Sequence, residues 1–231
     1  PLLAKAKVYT PASYKWPNFL KKANLLNIMK QISVVAIIAI GMTMIIITAG
    51  IDLSVGSLIA FSGVVTALTI QSVGGDSPTT SHLFIGIATG ILSCGLIGMF
   101  TGGMVTMSGI PAFIVTLAGL IGFRSVTLAI AEGGEIRAAD GLTALQTLGR
   151  GGLEIPGALD YYAQPGIFYW NILIFFAVVI AGQLLLGRTR LGRHFIAVGS
   201  NEVAARYSGI AVNRVRTWSY VLVGACAGIA A

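Results

Sequence analysis

Residues 31–75 read QISVVAIIAIGMTMIIITAGIDLSVGSLIAFSGVVTALTIQSVGG, with Asp52 the only charge among them. Twenty-one uncharged positions precede that carboxylate and 23 follow it. At 1.5 Å per helical residue each run reaches about 31–35 Å, the thickness of the hydrocarbon of a bilayer. A soluble core has little use for two consecutive apolar stretches of this length. The chain is therefore read as membrane-embedded, and Gly50-Ile51-Asp52-Leu53-Ser54-Val55-Gly56-Ser57 as the break between two spanning helices.

Composition agrees. Of the 231 residues 55% are hydrophobic and 10% charged, with a mean hydropathy of +0.86, whereas soluble domains carry about 25% charge. Thirty glycines suit a bundle of several spans, where small residues let helices approach closely. The net charge of +7 sits at membrane-flanking positions, so no nucleic-acid partner is expected. Cys94 and Cys226 fall inside apolar runs and read as small hydrophobes without a disulfide. Lys5, Lys7, Lys15, Lys21 and Lys22 enclose no apolar core of the kind a cleavable leader needs. The chain starts at Pro1 and stops 15 residues into the run after Arg216, so the reading is of a fragment.

Charges partition the sequence. Spans are expected at 31–50 and 54–72. Residues 77–123 then hold 47 positions without Asp, Glu, Lys or Arg, about 70 Å if helical, and must fold back once. Ser108-Gly109-Ile110-Pro111 is the place, since Gly permits the turn and Pro suits the first position of a helix. That gives spans at 82–106 and 111–131. A polar loop follows at 132–160 with Glu132, Glu135, Asp140, Glu154 and Asp160 against Arg137 and Arg150. The next span, 166–186, opens on Phe168-Tyr169-Trp170, aromatics suited to the headgroup region. With the run after Arg216, the fold class is all-α, a polytopic transmembrane helix bundle of about six spans, one domain over 1–231.

Residues 188–216 hold six arginines against the single Glu202, which marks the segment as a cytoplasmic loop and the 132–165 loop as external. Counting back puts residues 1–30 outside although they carry six lysines. Either a further span precedes them, or they lie along the interface, which Trp16, Phe19, Lys21 and Lys22 would suit.

Small residues recur every four positions at Gly86, Gly90, Cys94, Gly98 and Gly102. They form a ridge for close helix packing, or else for a helix that slides in operation. Asp52 and Ser54 either cap the helix that follows or, with Ser57, stand in a substrate path or gate. Arg124 is the one charge between Asp76 and Glu132; it reaches for a headgroup or pairs with a carboxylate, and it joins Asp52, Ser54 and Ser57 as a candidate for the path or gate. His82 and His194 sit at span edges with no second ligand at metal spacing, so neither a metal nor any other cofactor is expected. In Gly199-Ser200-Asn201-Glu202-Val203-Ala204-Ala205-Arg206-Tyr207-Ser208-Gly209, Ser200 or Asn201 can cap a short helix that Gly209 ends. Ala204, Ala205 and Ser208 would leave its surface small, a knob for a partner's groove; the alternative is a solvated loop. The phosphate loop G-x-x-x-x-G-K-[ST], H-E-x-x-H and G-x-S-x-G are all absent, so no catalytic residue is assigned.

Three stretches together resemble the membrane permease of bacterial ABC importers for ribose, xylose and related monosaccharides. Gly41-Met42-Thr43 with the 50–57 break is similar to that family's early motif. Ile110-Pro111-Ala112-Phe113-Ile114-Val115-Thr116-Leu117 with Phe123-Arg124 resembles its middle motif. Leu191-Gly192-Arg193 and the stretch from Gly199 to Ile210 resemble the loop that docks on the ATPase subunit. The family often has Gly-Gly-Asn at Gly199-Ser200-Asn201, and often a basic residue in the Met107-Ser108-Gly109 turn. The resemblance implies a type II-like permease in the bacterial cytoplasmic (inner) membrane, with one span before the region of Asn18, leaving that region outside, and more after residue 231. It implies a second copy of the permease, a cytoplasmic ATPase subunit gripping Gly199, Ser200, Asn201, Glu202, Ala204, Ala205, Arg206, Ser208 and Gly209, and an external binding protein that delivers the sugar. The competing readings are an ion-coupled carrier that uses Asp52 and Arg124, and a structural membrane protein, which the Asp52 break disfavours.

Overall fold

The apolar run before Asp52 forms helix α1 (Lys22–Ile47) and the run after it α2 (Val55–Gly74). They belong to a computed structural model that describes residues 18–20, 22–75, 78–133, 151–159 and 165–231. Helix α1 ends at Ile47 rather than at 50, for a local reason. The Thr48 hydroxyl donates back to the Ile45 carbonyl at 2.9 Å, and Ala49 takes a left-handed backbone with φ +58°. The Gly50 N–H then closes on Ile45 O at 2.9 Å and the Ala49 N–H on Ile46 O at 3.0 Å. This is the helix-ending pattern that normally uses glycine at the left-handed position. A Cβ there costs about 1 kcal/mol. Ala49→Gly is accordingly expected to raise, and Ala49→Val to lower, the melting temperature in detergent.

Helix α3 (Thr80–Ser108) turns through Gly109, φ +68°, into α4 (Ala112–Ile130) behind Pro111. The fold-back lies where the Gly and Pro place it. Beyond α4 the expected loop contains two strands, β1 (Gly152–Leu159) and β2 (Pro165–Tyr169), paired antiparallel with Gly152 opposite Tyr169. The fifth span therefore starts later than 166. Phe168 and Tyr169 are taken up by backbone pairing in β2, and α5 runs Trp170–Arg188. Three helices complete the chain: α6 (Arg190–Ser200), α7 (Glu202–Tyr207) and α8 (Val212–Ala230). The expectations placed on Lys5, Lys7, Lys15, Trp16, Lys21, Asp76, Glu135, Arg137, Asp140, Arg150 and Asp160 lie outside the described residues.

Among the described residues five helices, α1 to α5, are long and apolar enough to cross a membrane. Helix α8 is 19 residues long and carries Arg214 and Arg216 near its start. It nevertheless packs deepest, with Tyr220, Val223 and Ala227 in one core with Ile45, Val55, Leu58 and Cys94.

The ridge on α3 explains this packing, and it serves two neighbours. Gly86 and Gly90 face α2, where an added Cβ would strike Ile70, Thr66 and Ser62. Gly98 and Gly102 face α8 across the backbone of Tyr220 and Thr217, and Gly224 of α8 returns the contact against the Cys94 carbonyl. Cys94 sits at the changeover, its thiol donating to Leu58 O at 3.3 Å. Without side chains in the way, backbones approach and dispersion contacts accumulate.

A second core gathers the end of α1 with the last turns of α5, the short helices and the start of α8: Met44, Phe195, Val198, Ala205, Val212 and Val215, with Leu185 and Leu186 against them. The arginine-bearing segment thus shares one end of the bundle with the Asp52 break and the Ser108–Pro111 turn. At the opposite end the Lys30 ammonium lies 4.6 Å from the centre of the Tyr169 ring, so the start of α1 meets the hairpin there.

Candidate functional site at the arginine-bearing end

Helix α6 was not foreseen as a separate element, although its signal is in the sequence. Leu191, Phe195 and Val198 recur at helical spacing. Thr189 caps it by accepting the Gly192 N–H at 3.1 Å, and Phe195 and Val198 are buried while Arg190, Arg193 and His194 are exposed. Its end rests on α1, because Gly199 lies so close to the Ile47 carbonyl oxygen that no Cβ fits. Gly199 is thereby a packing residue.

Helix α7 forms as its ends dictate. Asn201 accepts the Ala204 N–H on its side-chain oxygen at 3.0 Å. Gly209, φ +80°, closes the other end, with Ile210 N donating to Ala205 O at 3.0 Å. One expectation needs correction. Ala205 is not on the surface; it is 4% exposed inside the core with Phe195 and Val215. Two turns of helix laid on a core must bury one face, and Ala205 lies on it. Ala204 and Ser208 are exposed as expected, and so are Val203, at 61%, and Tyr207, at 89%. The latter two, four residues apart on one face, were passed over. An aromatic left in water on a well-held helix was the signal.

Glu202 ties α7 down. Its carboxylate takes Arg206 Nη2 at 2.8 Å and Arg216 Nη2 at 2.7 Å, with Arg216 Nη1 at 3.4 Å. The hydrogen bond from Arg206 and the two nearby guanidinium charges hold its pKa below the ordinary glutamate range. The stabilisation is thus present at neutral pH and is lost only as pH falls through that lowered value. As a partly exposed pair it contributes little to global stability, so its effect is local.

The break lies beside this assembly. Asp52 is buried, and its Oδ1 accepts from the Ser54 N–H at 2.8 Å and from the Ser54 hydroxyl at 2.6 Å. Ser54 occupies the cap position of α2 but makes no side-chain cap bond, because its backbone is already helical, φ −79° and ψ −11°, and not extended as a capping residue needs. The capping expectation is corrected accordingly: the carboxylate closes the turn ahead of the helix instead of the helix's first turn. Ser57 donates to Ser54 O at 2.7 Å, and all three are buried. Asp52 Oδ2 has no partner. The Tyr220 hydroxyl donates to Ile51 O at 3.2 Å across the same turn. A cavity of about 430 Å³ opens here, lined by Thr48, Gly50, Pro111, Arg206, Arg216 and Tyr220 among others.

Arg124 is not brought to Asp52. It is exposed on α4, whose buried positions are Val115, Thr116 and Thr127, and among the described residues both ion pairs are made by Glu202. His82 accepts the Thr79 N–H on Nδ1 at 3.2 Å at the start of α3, a helix-end role. Among the described residues no three of His, Cys, Asp and Glu gather as for a metal.

A many-span helical bundle with a capped, charge-latched short helix at one end defines the class: a polytopic integral membrane protein. The chain belongs to the family described as branched-chain amino acid transport system / permease component, matched over residues 24–231. It is 37% identical over 215 residues to the ribose import permease protein RbsC of Escherichia coli (strain K12), covering 93% of this chain and 61% of the relative. The protein of the same name from Bacillus subtilis (strain 168) is 35% identical over 217 residues, with 93% and 61% covered. The xylose transport system permease protein XylH of Escherichia coli (strain K12) is 30% identical over 263 residues, with 92% and 64% covered. The chain spans about three fifths of the length of these relatives. No solved structure matches it.

Proposed function

We propose that the chain is the greater part of the membrane permease of an ATP-driven monosaccharide importer, seated in a bacterial inner membrane. The observation that carries this reading is α7: a helix fixed at both ends and latched by Glu202, holding Val203 and Tyr207 out into water. A rigid helix with an exposed aromatic anchor suits insertion into a groove on another protein. The arginines around it assign that end to the cytoplasm, where an ATPase subunit is available, and the sequence has no phosphate loop of its own. The hairpin end then faces outward, toward a sugar-binding protein.

Sugar is favoured over amino acid because the relatives quoted above are named for ribose and xylose, although the family description names branched-chain amino acids. A neutral sugar needs hydroxyls and aromatic faces rather than a fixed charge. The exposed Arg124 guanidinium, midway along an apolar helix, requires water or an acidic partner, which a water-filled path beside a second copy of the permease would supply.

The test is purification of the full-length protein from native membranes, identification of its partners, and uptake in proteoliposomes. ATP-dependent monosaccharide uptake with a copurified ATPase is the expected result. Uptake by the isolated permease, driven by an ion gradient without ATP, would overturn it in favour of an ion-coupled carrier.

A further inference from the structure

Helix α8 makes polar contacts both to the knob and to the Asp52 break. Glu202 of α7 grips Arg216, in the second turn of α8, through two nitrogens. One turn on, the Ser219 hydroxyl donates to Arg216 O at 2.7 Å and lies 3.2 Å from the Thr48 hydroxyl at the end of α1. Its neighbour Tyr220 donates to Ile51 O at 3.2 Å, inside the break. Ser219 and Thr48 are 0% and 1% exposed, so the bond between their hydroxyls is shielded from competing water, whereas the Tyr220 bond lies at the wall of the cavity. Tyr220 also packs with Ile45, Val55 and Leu58 on both sides of the break. An axial shift of α8 therefore cannot leave residues 48–55 where they are.

Two further observations are compatible with movement at the break. Asp52 Oδ2 is buried with no hydrogen-bond partner. A buried acceptor left unmet means that a rearrangement bringing it a donor gains free energy. The cavity bounded by Gly50, Pro111, Arg216 and Tyr220 provides room beside the contacts for such a rearrangement.

We propose that the first three turns of α8 form a relay, with Glu202–Arg216 as its input and Tyr220–Ile51 as its output, passing displacement of the knob to the α1–α2 break. This rests on the reading of α7 as a docking element. Tyr220 and Arg216 are positioning residues; neither is asked to touch substrate.

The experiment has two readouts. The first needs no partner: amide hydrogen exchange over residues 50–54 of the full-length permease. Glu202→Gln, at the input, is expected to speed exchange at Asp52 and Ser54 by about fivefold, the scale of mutational effects on coupled sites. Arg206→Gln breaks the other ion pair of the same carboxylate without touching α8, and should leave those amides unchanged. No change with Glu202→Gln, or an equal change with Arg206→Gln, overturns the relay. The second readout uses the complex with its ATPase. Tyr220→Phe removes one hydroxyl at constant volume; copurification should persist while sugar moved per ATP falls about tenfold. An unaltered ratio overturns the relay. Absence of any ATPase from the wild-type preparation instead overturns the functional reading, and the exchange result still judges the relay.

Discussion

Gly98→Ala and Gly224→Ala are each expected to lower the melting temperature and the yield of folded protein, whereas Gly95→Ala and Gly103→Ala on α3 are expected to fold normally. A single methyl on Gly98 or Gly224 meets the backbone of the opposing helix, the Tyr220 carbonyl in one case and the Cys94 carbonyl in the other. Backbone has no rotamer to yield, so relief requires separating α3 from α8 along the seam that supports both Tyr220 and Thr217. Overpacking of this kind costs about 1–3 kcal/mol or more, against a total stability of about 5–15 kcal/mol. Nothing lies within 4 Å of a Cβ built on Gly95 or Gly103, and alanine is the better helix former by about 1 kcal/mol. All four residues are glycines within one helix pair, so composition and hydropathy change equally. Monodispersity on size exclusion and thermal melting in detergent measure the outcome. Equal behaviour of the four variants would refute the packing assignment.

Tyr207→Asp, alone and with Val203→Asp, is expected to release the ATPase subunit while the permease still inserts and melts as the wild type does. Both side chains are largely exposed, at 89% and 61%, so their loss removes little intramolecular packing. A central aromatic anchor contributes about 2 kcal/mol or more to an interface, roughly 30-fold in Kd, and a carboxylate in its place adds desolvation. Copurification from native membranes and ATP-dependent uptake should fall together. Ala205→Arg, by contrast, is expected to damage the permease itself, because Ala205 lies in the core with Met44 and Phe195. Loss of partner binding there would say nothing about docking. Retention of the ATPase by the Tyr207 and Val203 double variant would remove α7 from the interface.

The legibility of this fold varied with the kind of interaction involved. The spans on either side of Asp52, the turn at Ser108-Gly109-Ile110-Pro111 and the Asn201 and Gly209 ends of α7 were all visible in the residues. The β1–β2 hairpin was not, because strand pairing depends on a partner segment that local pattern does not identify. The same holds for α1, which runs back to Lys22 past where charge suggests it begins. Asp52 was recognisable as exceptional, but its bond to Ser54 instead of to the first turn of α2 depends on two dihedral angles that no spacing encodes.

What the residues alone settled is where the chain leaves water. Transfer of an uncharged run into hydrocarbon is summed along the sequence, so the presence of 21 and 23 such residues around Asp52 is sufficient. Only the tertiary structure decided which small residue faces which neighbour: Gly98 against Tyr220 while Gly95 faces open space, Ala205 inward while Tyr207 projects. Helix rotation about its own axis fixes those outcomes, and rotation is set by the summed fit of all the packed helices at once.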